Sequence, residues 1–162
     1  MTAYFYCCPI PLDVGSVVRP DNWARILRTY NHQIFSDTWI VLVGELVYEI
    51  VRRELFPTKA SRFRCLFLCT SEAGLLDFRA ASGRPHDIGY EVELVNPQAQ
   101  SHLGDWTLPN VRSTDDVAAI ARHALLYWRG ISVANPQLVT LSPIRIARRL
   151  QRRTRWRLRR SG

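Results

Sequence analysis

Lysine is almost missing from this sequence: Lys59 is the single one among 22 basic residues, and the others are arginine. That bias is as compatible with a GC-rich coding sequence as with phosphate recognition, so alone it excludes little. Other absences exclude more. The four histidines, His32, His86, His102 and His123, show no HxxxH or HExxH spacing. The four cysteines form an adjacent pair, Cys7 and Cys8, and an i, i+4 pair, Cys65 and Cys69, with no CxxC. Neither a structural metal site nor a secreted disulfide framework is expected, and the cysteines read as buried free thiols. No Walker loop, GxGxxG or GxSxG occurs, which removes the usual signs of a P-loop, a dinucleotide fingerprint and a hydrolase elbow. The start "MTAYFYCCPIP" lacks the basic-then-apolar order of a secretory signal. The longest apolar run, 39 to 51, is interrupted by Gly44, Glu45 and Glu49 and is too short to span a bilayer. A cytoplasmic protein is the expectation.

What is present fits one domain with an appendage. With 162 residues, 47% of them hydrophobic, the chain can bury a real core. The net charge of +8 is unevenly placed. From Pro143 onward there are nine arginines and no acid, which leaves 13 basic against 14 acidic residues before that point. The boundary is therefore drawn between a nearly neutral domain, 1–140, and an arginine-rich tail, 141–162. Arguments from charge to nucleic acid or anionic membrane concern the tail alone.

Helices mixed with short strands predict an α+β fold. "AYFYCC" reads as an aromatic strand stopped by "PIP". Asp21 is placed to cap a helix over about 22–34, and Asp37 or Thr38 one that runs to Phe56 before Pro57. In the second helix Leu42, Leu46, Val47, Ile50 and Val51 form the apolar stripe, with Glu45, Glu49, Arg52 and Arg53 on the wet face. A strand over 64–69 follows, then Ser71 as N-cap of a helix closed by Gly83. "IGYEVELV" alternates as a half-buried strand, and a turn-rich segment holding another short strand comes next. A helix beginning at a Ser113 to Asp116 capping box ends at Gly130. The tail, taken as a helix, sets Ile146, Leu150 and Leu158 on one side.

Three groups of residues could carry chemistry. Glu91 and Glu93, at i, i+2 on a strand, face one way; they are either its solvent face or acids that stabilise developing positive charge or deprotonate a nucleophile. Arg62 and Arg64 are either surface residues before a strand or an anion clamp. Arg148, Arg149, Arg152 and Arg153, with Trp156 among them, could neutralise phosphates and stack on an unpaired base of RNA or DNA. A basic helix on anionic lipid is the rival for the tail. Tyr127 and Trp128 read as core lids.

The order "ELVYEIVRRELFPTKASRFRCLFLCTS", "YEVELV", "LGDW", "AIARHALLYWRG" resembles an uncharacterised bacterial and phage family of the ADP-ribosyltransferase-like superfamily. The resemblance covers roughly residues 4 to 130 and implies a mixed β-sheet with flanking helices and NAD as substrate. The acceptor would be a nucleic acid or a protein, in the setting of a toxin or phage effector. "CLFLCTSEAGLLDF" is similar to the strand and helix that line a nicotinamide pocket, which gives Thr70 and Ser71 that role. The first strand, "YFYCC", offers no His or Arg, so Tyr4 and Tyr6 would contact the dinucleotide and Arg62 would meet its pyrophosphate. The late acid would be Glu91, Glu93 or Asp105. The same departure also fits a catalytically inactive binding module on that fold.

Overall fold

A computed structural model describes residues 3–28, 37–112, 114–131 and 133–151. In chain order the elements are β1 Tyr4–Cys8, β2 Val17–Val18, α1 Asn22–Leu27, α2 Asp37–Leu55, a 3₁₀ turn Arg62–Arg64, β3 Leu66–Cys69, α3 Glu72–Ala81, β4 Ile88–Leu94, β5 Ser101–Asp105, α4 Val117–Arg129, β6 Pro136–Thr140 and β7 Ile144–Arg149. The strands form one sheet in the order β2-β7-β4-β1-β3-β6-β5. The α+β class holds. The sheet, expected to be mixed, is antiparallel at every pairing among the described residues.

The link between β6 and β7 fixes the shape of this sheet. Three strands stand between the two, so in a flat sheet they would lie about 19 Å apart. Thr140 to Ile144 can span only about 14 Å fully extended. The sheet must roll. The segment after β4 reaches the same corner, where Val95 N donates to Pro143 O, Asn96 N to Ser142 Oγ, and Leu141 N to Gln100 O. The inner, concave face holds Leu66, Leu68, Tyr90, Val92, Ile144 and Ile146, drawn from strands on both sides of the roll. No helix is needed over it; Tyr90 Oη instead accepts from Leu12 N and ties down the loop after β1.

The convex face carries the helices. Tyr48 of α2 and Ile120, Ala124, Tyr127 and Trp128 of α4 pack on Cys65 and Val139, and Trp128 Nε1 donates to Tyr48 O to lock the two helices together. Leu75 of α3 packs on Cys7 and Cys69. The half of this face made by β4 and β7 carries Glu91, Glu93, Arg145 and Arg148 instead.

Local chemistry accounts for most element ends. Ser71 Oγ accepts from Gly74 N at the start of α3, Asp116 Oδ1 from Ala119 N at the start of α4, and Gly130 closes α4 with φ 66°. Asp21 sits at the start of α1 in a left-handed conformation, φ 85°, and makes no side-chain cap. Arg62 and Arg64 belong to the 3₁₀ turn rather than flanking a strand directly. The basic segment does not begin as a helix: Ile144 and Ile146 turn inward from β7 with Arg145 exposed between them, so the boundary at 140/141 falls between two strands of one sheet. The expected α2 stripe is also displaced. Leu46 and Ile50 are exposed, whereas Glu45, assigned to the wet face, is buried beside Tyr48.

Candidate functional site

On the convex face, beyond the reach of α4, a cavity of about 630 Å³ opens between α1, α2, α3 and the loop after β5. Its floor is strand: Phe5 and Cys7 of β1, Phe67 and Cys69 of β3, Gln137 of β6. These share a face by register, since Phe5 lies opposite Cys69, and Cys69 opposite Gln137. The walls are aromatic. Trp106 meets Phe78 edge to face at 5.5 Å, and Trp23 meets Phe67 in the same manner at 6.4 Å. Asn22, Arg84 and Asn110 add polar groups to the lining.

Two buried polar features reach this cavity, and they differ in kind. At one side, Arg62 is fully engaged. Its Nε and Nη2 donate to the two oxygens of Glu45, and Nη1 donates to Tyr127 Oη at 2.8 Å. The guanidinium also lies 4.8 Å from the centre of the Phe67 ring and 5.0 Å from that of Tyr127. Burial opposes its charge, but Glu45 and Tyr127 outweigh burial and hold the guanidinium protonated. The second feature is Gln137, only 4% exposed, whose side chain opens on the cavity and makes no hydrogen bond to another described residue.

The thiols lining the cavity are not nucleophiles at neutral pH. Burial pushes Cys7 up to about 11, and Cys65 and Cys69 up to about 12. They act as small apolar groups, in keeping with all four cysteines being free and buried. Burial likewise takes the Tyr6 phenol up to about 12.

The residues singled out in the sequence do not converge. Arg62 lines the cavity but is committed to Glu45 and is not an open clamp, and Tyr6 borders the cavity while packing on the concave core. Tyr4 packs against the concave core. Neither Thr70 nor Ser71 lines the cavity, and the Ser71 hydroxyl is spent on its helix cap. Glu91 pairs with Arg148 at 2.5 Å across β4 and β7, and Glu93 stands opposite Arg145. Neither borders the cavity. Asp105 is structural: it accepts from Thr107 N, Thr107 Oγ1, Ala134 N and Asn135 N. Burial raises its pKa, but these four hydrogen bonds outweigh burial and bring it below the usual carboxylate value. Arg149 is exposed on β7, while Arg152, Arg153 and Trp156 lie outside the described residues.

Two buried polar cavity residues, Glu45 and Gln137, escaped sequence reasoning. Glu45 looked like a solvent residue because its partner lies far along the chain. Gln137 stands in "NPQLVTLSP", a β-branched run between two turn-forming pairs, which is a strand signal that places Gln137 and Val139 on one face.

Among the described residues no helix is long and apolar enough to cross a membrane, and no cluster of side chains suits a metal ion. No curated protein matches the chain. The family described as "Protein of unknown function (DUF2441)" matches residues 17–146, from β2 into β7 and across most of the cavity wall, and the chain belongs to that family.

Proposed function

We propose that the chain is a small-molecule-binding domain whose site is the cavity over β1, β3 and β6, and that its ligand is the dinucleotide NAD. One observation carries the site: an aromatic cavity of about 630 Å³ with the largely buried Gln137 side chain opening from its floor. That volume lies within the range of small-molecule and cofactor pockets. Aromatic walls suit a flat heteroaromatic group. NAD itself enters through the resemblance to ADP-ribosyltransferase-like proteins, and β3 followed by the capped helix α3 at the cavity edge supports that choice.

ADP-ribosyl transfer to a nucleic acid or protein is the fuller form of this proposal. It needs a carboxylate near the ribose to stabilise the cation left by departing nicotinamide. Glu45 is the acid that lines the cavity, and Arg62 neutralises it. Glu91, Glu93 and Asp105 lie elsewhere. Binding without transfer is therefore the better-supported version. Calorimetry of the full chain with NAD is expected to give 1:1 binding that Trp106→Ala abolishes. No heat at millimolar NAD would sink the dinucleotide reading, and label transfer from NAD to RNA, DNA or protein would establish the enzyme.

A second reading, nucleic-acid binding, is favoured by the exposed arginines of β7, Arg145, Arg148 and Arg149, from which the arginine-rich segment continues. Neutralised phosphates would give sequence-independent, salt-sensitive affinity.

A further inference from the structure

We infer that Gln137 reads the ligand in this cavity, and that it selects a planar aromatic group presenting a hydrogen-bond donor and an acceptor side by side, as a ring carboxamide or a nucleobase edge does. The inference rests on the cavity being a ligand site and goes further by assigning the residue and the chemical group.

Gln137 is 4% exposed in a strand that a second strand flanks on each side. Its cross-strand neighbours are Cys69 and Gly104, a weakly polar thiol and a residue with no side chain, so the sheet supplies nothing for the amide to bond. The amide makes no hydrogen bond to another described residue and opens on the cavity, so its donor and acceptor are available to an occupant. The amide faces a cavity walled by Phe67, Phe78 and Trp106. Rings on the walls restrict the occupant to something flat, and Oε1 with Nε2 supplies one acceptor and one donor to its edge. Glu45 and Arg62, already paired, leave Gln137 as the buried cavity residue with both hydrogen-bonding functions free among the described residues.

The test uses the full-length protein with benzamide, adenine and acetophenone, the last keeping the ring and acceptor of benzamide but lacking its N–H donor. Wild type is expected to bind benzamide and adenine at least tenfold more tightly than acetophenone. Gln137→Met, close in size, should remove that preference and leave the melting temperature near that of the parent. A role in folding alone would lower the melting temperature, so the two explanations separate. Gln137→Glu, which keeps the shape but loses the donor, is the second variant and should weaken adenine binding at least tenfold. Absence of preference in the wild type, or a preference kept by Gln137→Met, overturns the inference. Binding of benzamide without NAD supports Gln137 and overturns only the dinucleotide. NAD bound equally by wild type and Gln137→Met does the reverse.

Discussion

Arg62 and Glu45 meet as a two-point ion pair, Nε to Oε2 at 2.9 Å and Nη2 to Oε1 at 2.7 Å, across 17 residues of sequence. Both side chains are more than nine-tenths buried. Removing one partner leaves the other charge stranded, which typically costs about 3–5 kcal/mol. Glu45→Gln is expected to lose that much in urea denaturation. The double variant Glu45→Leu with Arg62→Met, which strands no charge, should recover most of it.

Gly104 sits under the Tyr127 ring. A Cβ placed there would lie 2.4 Å from Cε2 of a fully buried side chain with no room to retreat. Gly104→Ala should destabilise by about 1–3 kcal/mol through overpacking. Thermal melting measures this, and a melting temperature equal to that of the parent would show that the α4–β5 contact is loose.

His102 predicts the acid side of the stability curve. Burial brings its pKa down to about 4, so the ring is neutral: Lys59 Nζ donates to Nδ1, and Nε2 donates to Tyr127 O at the end of α4. An unfolded histidine titrates near 6.5. The folded value is depressed, so this contribution is complete above about pH 6.5 and is lost as pH falls toward 4, on the order of 3 kcal/mol. His102→Gln should flatten the stability profile across that window.

Ser71 separates a structural from a ligand role. Ser71→Ala removes the α3 cap and should cost about 1 kcal/mol. It should leave the affinity of the cavity for NAD unchanged. A large loss of affinity at constant stability would return Ser71 to the pocket.

The arginine-rich segment has its own measurement. Binding of single-stranded DNA by the full chain is expected to fall steeply with salt, and deleting 152–162 removes six arginines and should flatten that slope.

The reach of sequence reasoning follows from the range of the forces involved. α3 and the end of α4 were legible because Ser71, Gly83 and Gly130 act within one turn of their own positions. β4 was legible because Tyr90 and Val92 alternate with Glu91 and Glu93. The orientation of α2 was not: burial of Glu45 depends on Arg62, and a hydrophobic pattern has no term for a charge paired elsewhere. Arginines interspersed with Ile144, Ile146 and Leu150 fit a helix as readily as a strand until β4 supplies the partner. The cavity was least visible, because its lining is contributed by seven elements and by the loop after β5.

The rolled sheet also sets the order in which the molecule can be completed. Leu94 of β4 pairs with Ile144, and Val92 with Ile146, so one edge of β4 waits, during synthesis, for a strand that follows α4 and β6. A nascent chain paused before β7 would present the backbone of Ile88–Leu94 and half of the concave core to its surroundings. Such an uncapped strand is a template for pairing with another chain. The turn Leu141–Pro143 thus works as the latch of the fold, and the chain is most prone to aggregate before that latch is made.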